Sequence, residues 1–183
     1  MHVESLLRLR LLRACDAATH WAESQPSAET AWRQCPRGDW LLWIAARIGI
    51  DRKLLARAAC ACARTALPHV AAGEERPRIA IEMAEAWARG EATLEDVHRR
   101  ARGALAAWQT ADAAYAAAAA VFAADAADAA DADAAVFAAY AAVFAAYAAA
   151  DAAAARSASL ARYADIVREI IPWEAMAAKL EDK

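Results

Sequence analysis

The sequence predicts an all-α fold, a multi-helix bundle or orthogonal array of about seven to nine helices in which long alanine-rich helices run antiparallel. Three observations predict it. Alanine supplies 61 of the 183 residues, and it is the best helix former and a poor strand former. Glycine and proline number only five each, and most of them fall between stretches of helical periodicity, where they end or begin helices. From Ala104 to Ile171 there is neither. The length suits one domain over residues 1–183, with a Trp- and Arg-containing half at 1–103, an alanine-rich half at 104–171 and a tail at 172–183.

Leu6, Leu7, Leu11, Leu12, Ala14, Ala18 and Trp21 recur near helical spacing, so a first helix is expected over 3–22, before Pro26. Ser27 caps a short second helix that Pro36 ends. A third begins at Asp39, its expected N-cap, and stops at Gly49. Asp51 caps a fourth that reaches about Leu67, ahead of Pro68. Pro77 in the first turn and Gly90 just past the last bracket a fifth helix over 76–89. On it Arg78 pairs with Glu82 and Glu85 with Arg89 at i,i+4, while Ile79, Met83 and Trp87 line the opposite side. Thr93 opens a sixth helix, with Asp96 three residues on as an approximate capping box.

A single helix over the 68 residues from Ala104 to Ile171 would be roughly 100 Å long at about 1.5 Å per residue. A compact domain of 19.5 kDa is far narrower, so the segment is expected to fold back. The aspartate-dense run at 123–133 is the expected turn, because aspartate competes with the helical backbone and favours caps. Ser157 or Ser159 is expected to start the next helix, amphipathic through Leu160, Tyr163, Ala164, Val167, Ile170 and Ile171 and stopped by Pro172. Within the alanine-rich half, Val136-Phe137-Ala138-Ala139-Tyr140 recurs seven residues later as Val143-Phe144-Ala145-Ala146-Tyr147. Tyr115 precedes Phe122 by the same seven. Large residues on one stripe with alanine between them predict close antiparallel helix packing.

Net charge is −3 over the chain but uneven. Residues 1–103 carry 16 Lys/Arg and 13 Asp/Glu, whereas 104–155 carry six aspartates and no basic residue. No basic stripe with interleaved aromatics is present, which argues against a nucleic-acid partner. No window of about 20 residues is apolar enough to span a membrane. Glu4, Arg8, Arg10 and Arg13 interrupt what a signal peptide would need as its apolar core, so a cytoplasmic location with reduced thiols is expected.

The sequence offers little catalytic chemistry. No Ser-His-Asp order, Gly-rich phosphate loop, HExxH or CxxC occurs. Cys60 and Cys62 with His69 suggest a metal cluster, but i and i+2 point about 200° apart on a helix, and zinc sites favour two to four residues between cysteines. They are expected to be small core residues. Asp16 and His20 stand at i,i+4 with no second pair to complete a metal site, and His98 joins a solvated face. Catalytic, cofactor and metal residues are therefore expected to be none. Trp32, Trp40, Trp43 and Trp87 are expected in the core. Candidate interaction residues are the aspartates Asp125, Asp128, Asp131 and Asp133, together with Arg76, Arg78, Glu82 and Trp87.

The run Ala59-Cys60-Ala61-Cys62-Ala63-Arg64, then Leu67-Pro68, then Arg76-Pro77-Arg78-Ile79-Ala80-Ile81-Glu82 and Ala84-Glu85-Ala86-Trp87-Ala88-Arg89-Gly90-Glu91 resembles bacterial immunity proteins of the alanine-rich helical, Imm-5-like group. The resemblance covers roughly residues 40–160 and is most specific from Arg76 to Glu91. It implies an all-helical fold and a role in neutralising a partner toxin by protein–protein contact. The alternatives are a structural or self-association module built on the alanine-rich helices and a phage or bacterial accessory protein.

Overall fold

The computed structural model describes residues 14–108, 114–128, 131–149 and 153–181. Among them it is all helical, with no strand and ten α-helices, slightly more than expected. These are α1 (Asp16–Glu23), α2 (Ala28–Gln34), α3 (Gly38–Arg47), α4 (Arg52–Arg64), α5 (Arg76–Arg89), α6 (Leu94–Trp108), α7 (Ala114–Asp128), α8 (Asp131–Ala149), α9 (Ala153–Ile170) and α10 (Trp173–Glu181). A 3₁₀ turn, Leu67–His69, follows α4.

Capping chemistry sets several of the boundaries. Ser27 accepts from Thr30 N, and Asp51 accepts from Lys53 N and Leu54 N. Thr93 and Asp96 exchange backbone N–H bonds as a reciprocal box. Gly49 and Gly90 take φ of +85° and +83°, which L side chains rarely adopt. Behind Gly49, Ile50 N bonds to Ala45 O and Gly49 N to Ala46 O, the two bonds that close a helix with a left-handed residue.

Several boundaries differ from expectation. Residues 3–13 of the expected first helix lie outside the described residues. Asp39 is not the cap of α3. The helix begins one residue earlier, at Gly38, with Arg37 in the cap position. The Asp39 carboxylate is instead gripped by both Arg37 Nε (2.8 Å) and Nη2 (2.6 Å). Helix α4 ends at Arg64 rather than Leu67, where Thr65 Oγ1 bonds back to Cys62 O. Residues 109–113, between α6 and α7, lie outside the described residues. Of the expected turn at 123–133, residues 123–128 are still in α7 and 131–133 already in α8, and residues 129 and 130 between them lie outside the described residues. Helix α9 starts at Ala153, upstream of both serines, because Ser159 satisfies its hydroxyl on Ala155 O and can sit inside a helix.

One buried cluster runs from Trp32 to Met176 and draws on both halves of the chain. Helices α7 and α8 pack on each other as a hairpin. Helix α8 lies across α3 and α4, while α7 lies on α4, α5 and α6. Helix α9 closes over α3, α4 and α8. A close approach occurs at Gly38, where an added Cβ would fall 2.6 Å from Tyr163 Cβ and 2.7 Å from its backbone carbon. Three hydrogen bonds tie α9 to the elements beneath it. Tyr163 and Thr65 join their hydroxyls at 2.8 Å, and Arg168 donates to the carbonyls of Cys35 (2.9 Å) and Trp32 (3.3 Å). Arg168 thereby satisfies carbonyls that the end of α2 leaves open.

Inside the hairpin, alanine does the packing. Ala118, Ala119, Ala120, Ala123 and Ala126 of α7 and Ala138, Ala141, Ala142, Ala145 and Ala146 of α8 are essentially inaccessible. A buried methyl contributes only about 0.8 kcal/mol. However, alanine loses no side-chain entropy on folding and lets backbones approach closely, so many contacts accumulate.

Candidate interaction surface

The aromatic residues of the hairpin are less buried than these alanines. Tyr115, Tyr140 and Tyr147 are 50%, 46% and 42% exposed. With Phe122, Phe137 and Phe144, which are half-buried and pack against the core cluster, they form a seam along the α7–α8 hairpin whose tyrosines face outward. Phe122 sits 5.0 Å from Phe144, 5.3 Å from Tyr140 and 6.1 Å from Phe137 between ring centroids. Tyr115 sits 5.4 Å from Tyr147 and 6.0 Å from Phe144. As positions rise along α7 their partners fall along α8, which establishes the antiparallel arrangement. The expected stripe of large residues therefore exists, but it marks the outer seam and the alanines mark the packed one.

The residues behind this seam come from a seven-residue repeat. Phe137, Tyr140, Phe144 and Tyr147 follow a three-then-four spacing that holds them on one side of α8. Alanines at 138, 141, 142, 145 and 146 take the other side. Arg156, near the start of α9, places its guanidinium 5.0 Å over the Tyr147 ring. The face of such a ring carries negative charge density that attracts a cation.

Four candidate aspartates fall at the turn end of the hairpin. Asp125 stands in the last turn of α7, Asp128 closes it, Asp131 opens α8 and Asp133 follows. For the last three only the backbone position is described. Asp125 and Asp128 lie at the negative end of the α7 dipole, where a carboxylate is unfavourable to the helix, whereas Asp131 lies at a positive end, where it is favourable.

The candidates on α5 lie elsewhere and are engaged locally. Arg76 grips Glu74 and holds that carboxyl down at about 2. Arg78 pairs with Glu75 and with Glu82, the latter at 2.7 Å as expected. The Glu85–Arg89 pair does not form. Arg64 of α4 reaches Glu85 with two bonds of 2.6 Å, a fork that outcompetes a same-helix pair, and Arg89 turns to Glu91. Pro77, Ala80, Ile81, Ala84 and Ala88 make the buried stripe of α5, with Ile79, Met83 and Trp87 half-buried beside it. Of the four tryptophans expected in the core only Trp32 is buried. Trp40, Trp43 and Trp87 are half-buried, each with a guanidinium over its ring from Arg37, Arg47 and Arg52 respectively.

Cys60 and Cys62 are inaccessible in the core, and burial pushes both thiols well above their ordinary value. Burial also raises the Cys35 thiol to about 11. Among the described residues no three His, Cys, Asp or Glu side chains gather in a metal-binding group. Asp16 and His20 line an open recess with Ala14, Thr19 and Glu23, and none of these five is buried. Also among the described residues, no helix is long and apolar enough to cross a membrane.

What the sequence reading missed is the seam of Tyr115, Tyr140 and Tyr147 as a surface. The signal was present in the repeat, since two stripes of different size on one helix imply that one faces outward. In comparisons with known proteins, no family model, no curated protein and no solved structure matches the chain.

Proposed function

We propose that this chain is a non-catalytic binding protein of the immunity type, which neutralises a partner toxin by covering part of it with a preformed helical surface. The observation that carries the reading is the exposed aromatic seam on the acidic hairpin. A contiguous exposed aromatic seam is unusual on a soluble monomer and marks an interaction site, and tyrosine is enriched at the centres of protein interfaces. The resemblance of Arg76–Glu91 to immunity proteins supports the same reading. Affinity capture from the source cell, followed by co-expression, tests it. The expected result is a captured protein that arrests growth alone and fails to do so beside this chain. Capture of nothing above background, or toxicity that this chain does not relieve, overturns it.

A second reading is self-association through the same seam, favoured by its heptad spacing. Sedimentation decides it: a monomer at high concentration rules that reading out.

A further inference from the structure

The geometry points to the chemistry of the partner: the seam of Tyr115, Phe122, Phe137, Tyr140, Phe144 and Tyr147 docks an arginine-bearing segment of a basic protein. This rests on the binding-protein reading above and names the surface and the side chain it takes.

Three observations converge on arginine. The first is charge. Residues 104–155, which contain the whole hairpin, carry six aspartates and no Lys or Arg. Complementary potentials steer partners together and exclude like-charged ones. Two copies of this face would oppose acidic segment to acidic segment, and anionic lipid or nucleic acid would be repelled in the same way. The second is ring geometry. The six rings lie 5.0–6.2 Å from their neighbours and are held by two packed helices, so little order remains to be imposed on binding. Three of them keep 42–50% of their surface open. The third is that the chain already shows the contact. Arg156 covers one end of the seam at 5.0 Å over Tyr147, and Arg37, Arg47 and Arg52 cover Trp40, Trp43 and Trp87 at 4.8–6.0 Å. A guanidinium is planar and weakly hydrated, and it stacks on a ring while still donating hydrogen bonds to a carboxylate. Lysine, a compact and strongly hydrated charge, gains less from the same ring. The seam therefore distinguishes arginine from lysine, whereas the aspartates alone do not.

The test compares two labelled peptides of about nine residues, all arginine and all lysine, titrated by fluorescence anisotropy against the full chain at one ionic strength. The arginine peptide is expected to bind about tenfold more tightly. The double variant Tyr140→Ala/Tyr147→Ala is expected to lose about tenfold in arginine binding with little change in lysine binding. Tyr140→Phe/Tyr147→Phe keeps the rings and is expected to retain arginine binding, which separates ring stacking from damage to the fold. Asp128→Asn/Asp131→Asn/Asp133→Asn is expected to weaken both peptides alike. Equal affinity for the two peptides, or undiminished arginine binding in the alanine variant, overturns the proposal. The alanine variant also separates this inference from the immunity reading. If it still neutralises the captured toxin, the surface is wrong and the function stands. If no toxin is neutralised by the wild type while the arginine preference holds, the surface stands and the function falls.

Discussion

Gly38 shows how much one hydrogen atom in place of a methyl decides. Its Cα lies against the backbone of Tyr163 and Ala164, with three heavy atoms within 2.8 Å of where a Cβ would stand. None of these is the free end of a flexible side chain, so Gly38→Ala must push α3 away from α9. The expected cost is about 2–3 kcal/mol, in the range for overpacking a close contact. Urea unfolding measures it, and wild-type stability would mean the helices do not meet there. The buried thiols make a second residue-scale prediction. An unfolded cysteine ionises near 9, while folded Cys35 keeps its proton to about 11. Between those values the folded state binds more protons, so the Cys35 contribution to stability falls as pH rises through that window and levels off above it. Cys60, Cys62 and Tyr163 are raised as well and act with the same sign. The Cys35 contribution lost by pH 11 is up to about 2 kcal/mol. Unfolding measured at pH 8 and pH 10.5 is expected to show the decline, and an increase would contradict the assigned burial.

At the scale of elements, the α7–α8 hairpin inverts the usual pattern of large residues inside and small ones outside. The expected effects of substitution invert with it. Ala142→Leu adds bulk at a position with no accessible surface where α8 packs inward, and it is expected to cost about 3 kcal/mol or to expand the hairpin. Tyr140→Ala removes a half-exposed ring and is expected to cost less than about 1 kcal/mol. Thermal unfolding of the two variants checks the order, and a reversed order would turn the hairpin over. The sequence made the existence of these helices plain, along with the caps at Ser27, Asp51, Thr93 and Gly90. It did not reveal which side of α8 faces in, because alanine, valine, phenylalanine and tyrosine all read as apolar. The two faces differ in size, and size becomes informative only when a neighbouring backbone is close. The Glu85–Arg89 pairing failed for a related reason. Residue spacing describes a lone helix, and Arg64 arrives from another one.

For the whole molecule, the division into a Trp- and Arg-containing half and an alanine-rich half describes composition better than architecture. Hairpin α7–α8 is the partner on which α3, α4, α5 and α6 all pack, so the alanine-rich segment completes the core. Its outer side is what remains for recognition. Of the candidate interaction residues, the aspartates fall at the turn end of the hairpin, while Arg76, Arg78 and Glu82 are occupied with one another or with Glu74 and Glu75 just ahead of α5. Charge could be read from the sequence, but the seam required the fold. The central claim is that the hairpin presents its rings to solvent. The chain has four tyrosines, three in the seam and Tyr163 in the core at 1% exposure. Nitration of the monomer with tetranitromethane, mapped by mass spectrometry of peptides, reads all four at once. Rapid modification of Tyr115, Tyr140 and Tyr147 is expected, with Tyr163 protected. Protection of the three seam tyrosines in the monomer, or modification of Tyr163 at their rate, would contradict it.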